Sequence, residues 1–180
     1  MKRVILVTLF VIFATNEYSN GQWLEPWEDS NRKWGFIDET EKLIIPCKYD
    51  HVYGFVEGLA AVWLNGKGGF IDKTDNIVIP LKYGEMSAFS EGLAKVTYNG
   101  KYGFIDKTDK VVIPFEYDDI NGFSGVLKGY AVVTIKGKNG FLDAKYGFID
   151  KTGTRVVPVK YTQEKAMRKF DRYLKNIAKL

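Results

Sequence analysis

Cysteine and histidine are each used once in the 180 residues, at Cys47 and His51. A single cysteine cannot close an intrachain disulfide. A single histidine leaves no histidine-rich metal site, and any His-dependent triad would rest on His51 alone. The chain contains no G-x-S-x-G, no phosphate-cradling glycine loop and no dinucleotide fingerprint. Uncharged apolar runs are short: Val4–Ala14 has 11 residues, well below the ~20 that a membrane-spanning helix needs. Proline is scarce, and four of the 5 prolines, Pro46, Pro80, Pro114 and Pro158, recur at one place in a repeated pattern. These absences point away from catalysis, and no catalytic residue, metal or cofactor is expected.

The first 21 residues read separately. Lys2 and Arg3 precede the apolar run, and the polar stretch Thr15–Gly21 follows it, the order of a secretory leader. Small residues at Ser19 and Gly21 place the expected cut before Gln22. Export would put the mature chain in the periplasm, at the cell surface or outside the cell. No cysteine follows the run, so a lipoprotein anchor is not expected.

The net charge of +4 is uneven. Residues 22–161 hold 18 basic and 19 acidic side chains, whereas 162–180 holds six basic and two acidic. The nearly neutral body lacks the basic field that nucleic acid would require.

What is abundant is a repeated phrase. KWGFID (33–38), KGGFID (67–72), KYGFID (101–106) and KYGFID (145–150) are four copies, the first three starting 34 residues apart. A fixed period of that size marks a repeat architecture. After each phrase a polar turn leads to an apolar run ending in proline, such as Ile77–Pro80, and two such runs read as a hairpin. A residue that tolerates positive φ is expected at Asp75, Asp109 and Gly153, with Glu41 departing from that pattern. The proline, lacking an N–H, should end its strand or lie on an edge. Leu93–Tyr98 alternates as a third strand, and Asn99-Gly100 then signals a type I′ hairpin into the next phrase. Asn65-Gly66 and Lys136-Gly137 are assigned the same task. Each repeat is thus read as a three-strand antiparallel unit joined to the next by a further hairpin. In the third, FSEGLA (89–94) becomes the longer FSGVLKGYA (123–131), and KNGFLD (138–143) looks like a local duplication of the phrase.

These elements resemble the WG-repeat (KWG repeat) family over about residues 33–161. The resemblance implies a bacterial β-rich repeat acting as a binding or interaction module, and it supplies no catalytic residues to carry over. Gly68 and Asn139 depart from its Trp/Tyr position. The expected fold is all-β: tandem repeats of about 34 residues in an open, curved, solenoid-like or propeller-like array over 22–161. A C-terminal amphipathic helix follows over 162–180, because Ala166, Met167, Phe170, Tyr173, Leu174 and Ile177 share one helical face.

Comparing the copies sorts the phrase into roles. Asp38, Asp72, Asp106 and Asp150 precede tight turns and are read as turn-fixing carboxylates. Trp34, Tyr102 and Tyr146 share a position that also accepts Gly68, so they are read as an exposed row suited to sugar rings or a partner protein. Lys33, Lys67, Lys101 and Lys145 run beside them on the solvent side. Cys47 is read as a small core residue. The functional expectation is a non-catalytic module that binds a protein or an envelope polysaccharide. Two alternatives stay open: a glycan-active enzyme using converging aspartates, and membrane-surface contact through the basic helix. The competing role for that helix is to cap the open end of the array.

Overall fold

The computed structural model describes residues 23–123 and 129–179. The expected leader lies outside the described residues. Among the described residues four small antiparallel sheets follow one another, and a helix follows the last. The first sheet holds β1 (Glu25–Glu28), β2 (Trp34–Ile37) and β3 (Leu43–Tyr49) in that order. The second runs β4 (His51–Val52), β5 (Ala60–Leu64), β6 (Lys67–Ile71) and β7 (Ile77–Tyr83). The third holds β8 (Leu93–Tyr98), β9 (Lys101–Asp106) and β10 (Val111–Tyr117). The fourth runs β11 (Asp119–Ile120), β12 (Tyr130–Gly137), β13 (Gly140–Asp150) and β14 (Arg155–Tyr161), and α1 spans Gln163–Ile177.

The repeated phrase is an inner strand of every sheet. Asn65-Gly66 and Asn99-Gly100 adopt the positive φ pairs of type I′ turns (52° and 74°, 50° and 74°), joining β5 to β6 and β8 to β9. This sets a phase that the sequence period does not reveal. The strand ending one sequence repeat pairs with the phrase of the next, so sheet boundaries fall after Tyr49, Tyr83 and Tyr117. Lys136-Gly137 is not a turn: β12 runs through both, and the chain reverses between Gly137 and Gly140. The seven-residue duplication lengthens this hairpin, leaving Phe141 and Leu142 at its exposed tip.

Proline sits inside the last strand of each sheet, not at its end. That strand is always an edge, and it bulges around the proline: Phe36 faces Ile45, yet Trp34 faces Tyr49. The glycine of the phrase lies under the bulge. A Cβ on Gly35 would stand 2.3 Å from Ile45 O, and one on Gly103 would stand 2.5 Å from Ile113 O, so backbone proximity fixes this residue. Glu41 takes φ 61°, as Asp75 and Asp109 take 67° and 66°. It conforms to the turn despite being a less suited residue type.

Each junction between successive sheets is a packed layer. Phe36, Ile45 and Tyr49 of the first meet Val52, Ala60, Val62 and Ile71 of the second. Ala61, Phe70 and Ile79 of the second meet Phe89, Ala94, Val96 and Ile105 of the third. Phe104, Ile113 and Tyr117 then meet Ile120, Ala131, Val133 and Ile149 of the fourth. Cys47 is half-buried on the outer face of the first sheet, with its thiol 3.7 Å from Trp27 O. Among the described residues no sheet precedes the first, and Cys47 lies outside the buried clusters. Burial and then Asp29 raise its pKa.

Candidate binding face

The variable aromatic position lies on the inner strand, one residue before the glycine under the bulge. Trp34, Tyr102 and Tyr146 are all half-buried there. Gly68 is buried, and the reason differs from an open groove position. A Cβ on Gly68 would lie 2.8 Å from Trp63 Nε1 and 2.5 Å from Met86 Cε. Trp63 is the direct cross-strand partner of Gly68, as Thr97 is of Tyr102 and Thr134 of Tyr146. The second sheet therefore supplies its ring from the neighbouring strand, so each sheet carries one ring at this place: Trp34, Trp63, Tyr102 and Tyr146. Phrase-by-phrase comparison missed Trp63 because the exchange crosses strands; the Gly68–Trp63 pairing was the available signal.

Four rings gather at the start of this row. His51 lies edge-on to Trp34 at 6.3 Å and to Tyr53 at 5.3 Å, and tilts against Trp63 at 5.4 Å; Tyr53 meets Trp63 at 5.2 Å. Beside them an open groove of about 750 Å³ is lined by Tyr53, Trp63, Glu85, Met86, Lys95 and Tyr102. Its walls are braced. Trp63 Nε1 donates to Gly84 O at 2.8 Å, and the Tyr102 hydroxyl donates to Glu85. That bond, with partial burial, pushes the Tyr102 phenol up to about 12. Lys95 Nζ stands 5.1 Å over the Tyr102 ring and donates to Ile120 O. Tyr146 lies apart, in a smaller depression with Asp119, Thr134, Phe141 and Met167.

The lysine row is not uniform. Lys33 pairs with Asp50 at 2.6 Å and Lys101 with Asp118 at 2.8 Å. Each aspartate also accepts a backbone N–H from the adjoining hairpin, Asn65 N at 2.6 Å and Lys136 N at 2.9 Å. Gly84 and Thr162 stand in sequence where the other repeats carry Asp50 and Asp118, and Lys67 and Lys145 are exposed. Half-exposed pairs of this kind contribute at most ~1 kcal/mol, but they take Lys33 and Lys101 out of a free cationic ladder.

The four turn aspartates repeat one geometry. Oδ1 accepts from the N–H two residues on (Thr40, Thr74, Thr108, Thr152, each at 2.8 Å), from the same threonine's hydroxyl at 2.6–2.7 Å, and from the N–H four residues on at 3.0–3.1 Å. The Thr74 hydroxyl bond is the largest influence holding Asp72 down at about 2. Thr108 likewise lowers Asp106, and at Asp150 the Thr152 and Thr154 bonds outweigh the opposing effect of burial. Among the described residues no three His, Cys, Asp or Glu side chains gather as a metal would require.

A second set of contacts, absent from the sequence reading, ties sheet to sheet. Lys48 Nζ meets Asp75 Oδ2 at 2.5 Å while the Tyr49 hydroxyl donates to Asp75 Oδ1 at 2.7 Å. Lys82 and Tyr83 grip Asp109 in the same way, with the hydroxyl at 2.6 Å. In the third case the charges are reversed: Glu116 accepts from Arg155 Nη2 at 2.8 Å, and Arg155 Nε reaches the Tyr117 hydroxyl at 3.4 Å. Burial first, then the bond to aspartate, raises the Tyr49 and Tyr83 phenols. On another side of the stack Glu57 binds Lys107 at 3.1 Å and Gly92 N at 3.1 Å, and Glu91 pairs with Lys151. The tyrosine recurring at Tyr49, Tyr83, Tyr117 and Tyr161, and the change from Lys48 and Lys82 to Glu116, were the visible traces of these clamps.

The helix completes the last sheet. Phe170 stacks on Phe148 with centroids 4.1 Å apart and planes 1° from parallel. In the other sheets the equivalent ring is covered from the next sheet: Phe36 by Phe55, Phe70 by Phe89 and Phe104 by Phe123, at 4.7–4.9 Å. Ala166 and Phe170 are buried against the sheet, whereas Lys165, Arg168, Arg172 and Lys175 are exposed and Lys169 is half-buried. No described helix is long and apolar enough to cross a membrane.

A family model described as WG containing repeat matches residues 34–67, 69–102 and 102–138. No curated protein matches the chain, and no solved structure does. The matched segments cover more than half of the sequence, and the chain belongs to the WG containing repeat family.

Proposed function

We propose, with membership of the WG-repeat family as the premise, that this chain is an exported, non-catalytic binding module whose partner lies along the aromatic groove. One observation carries the reading: the ring missing at Gly68 is replaced from the opposite strand by Trp63. Packing alone could fill that space with an aliphatic side chain. The presence of an indole keeps an aromatic surface running from Trp34 to Tyr102. The groove is open, and its charges, Glu85 and Lys95, balance. Aromatic faces with a few polar groups suit the apolar faces and hydroxyls of sugar rings, so an envelope polysaccharide is the favoured partner over a protein.

Affinity electrophoresis through gels containing envelope polysaccharide tests this. Wild type should be retarded, and Trp63→Ala or Tyr53→Ala should each lose roughly tenfold in affinity, the loss expected when ~1.4 kcal/mol of ring contact is removed. Tyr146→Ala, outside the groove, should change little. Equal retardation of all four proteins would overturn the assignment of the groove.

A further inference from the structure

The structure assigns a second binding site, distinct from the groove: Lys160 and Tyr161, with Lys165 and Lys169 of α1, form a clamp for a carboxylate of an acidic peptide segment, which we propose comes from a partner protein. The molecule carries its own template for this chemistry. At Lys48-Tyr49 and Lys82-Tyr83 the ammonium takes one oxygen of an aspartate and the hydroxyl takes the other. That aspartate always comes from the turn of the following sheet. Lys160-Tyr161 is the fourth copy of the pair, and α1 follows it instead of a fifth sheet.

The fourth pair keeps the geometry of the first two. Lys48 Nζ and Lys82 Nζ lie 5.1 and 5.0 Å from the centroids of the tyrosines that follow them, and Lys160 Nζ lies 5.7 Å from that of Tyr161. It differs in exposure and charge. Tyr49 and Tyr83 are each 2% exposed under the next sheet, whereas Tyr161 is half-buried and opens on a shallow pocket shared with Lys169 and Arg172. Lys165 and Lys169 add two more ammonium groups, 5.6 and 4.9 Å from the same ring. Among the described residues no carboxylate bonds to Lys160, Lys165, Lys169 or Tyr161; Glu164, the nearest in sequence, pairs with Arg168. Three cations gathered beside a hydroxyl donor repel one another until an anion joins them. The planar, two-point grip of the internal copies selects a carboxylate, and their bound group is an aspartate in a Lys-Thr-Asp turn.

The probe is a cyclised peptide with the turn sequence of residues 72–77, titrated into the full chain and followed by NMR. Lys160→Ala and Tyr161→Phe should each weaken binding at least fivefold, as should a peptide with asparagine in place of the aspartate corresponding to Asp75. Lys82→Ala, whose pair is filled from within the chain, should leave binding unchanged. The assignment is overturned if the asparagine peptide binds as well, if Lys160→Ala and Tyr161→Phe bind like wild type, or if inorganic phosphate competes as effectively as the aspartate peptide. Binding to phosphatidylglycerol vesicles without binding to the peptide would overturn it too, making the cluster a membrane face.

Discussion

The second and fourth sheets reach the same three contacts with different residues. The ring at the variable position is Trp63 opposite Gly68 in one and Tyr146 opposite Thr134 in the other. The grip from the preceding sheet is Lys48-Tyr49 on Asp75 in one and Glu116-Tyr117 on Arg155 in the other. The phenyl ring of the phrase, Phe70 or Phe148, is covered by Phe89 of the next sheet or by Phe170 of the helix. What the repeats preserve is the contact, and the residue supplying it is free to move across a strand, change sign or come from another element type.

The largest break in this equivalence should come from the covering rings. Phe89 and Phe170 are 2% and 1% exposed, and truncating a buried phenylalanine costs about 3–5 kcal/mol. Phe89→Ala and Phe170→Ala should therefore lower stability by similar amounts in denaturant melts. A small effect for Phe170→Ala alone would mean that the helix is an accessory and no substitute for a sheet. Removing residues 162–180 should destabilise at least as much as Phe170→Ala.

The aromatic exchange comes next. Gly68→Tyr forces a ring into space held by Trp63 and Met86 and should cost ~1–3 kcal/mol. Adding Trp63→Thr, which recreates the pairing of the third and fourth sheets, should recover most of that loss in the same melts. The clamp exchange is smaller, since Glu116 and Arg155 are 41% and 50% exposed. Arg155→Asp should cost about 1 kcal/mol, and Glu116→Lys should restore it; a double-mutant cycle reads the coupling.

The smallest effect is in pH. Asp72 is held at about 2 in the fold, below the ~3.9 of an unfolded chain. Its contribution is therefore present above about pH 4 and disappears as pH falls from there toward 2. The stability difference between wild type and Asp72→Asn should shrink over that window. Asp150 is lowered against the opposing pull of burial, and Asp150→Asn should follow the same direction.

Local chemistry was legible in the sequence. β8 spans Leu93–Tyr98 as the alternation indicates, and Asn65-Gly66 and Asn99-Gly100 turn as their residue types require. Phe36, Phe70 and Phe148 have no exposed surface. What stayed hidden depends on contacts between strands and sheets. A period of 34 residues has no intrinsic start, so it could not show that sheets divide after Tyr49, Tyr83 and Tyr117. Gly68 read as a gap in a row, because its filler, Trp63, belongs to the opposite strand. Lys33 and Lys101 read as a solvent ladder, because Asp50 and Asp118 lie 17 residues away.

The claim that the contact matters and its strand of origin does not can be measured at the groove itself. Trp63→Thr, Gly68→Tyr/Trp63→Thr and wild type should be compared for affinity to envelope polysaccharide. We predict a loss of roughly tenfold in the single variant, where ~1.4 kcal/mol of ring contact disappears, and recovery in the double variant, where a tyrosine returns from the inner strand. Unchanged affinity in a folded Trp63→Thr protein would contradict the account.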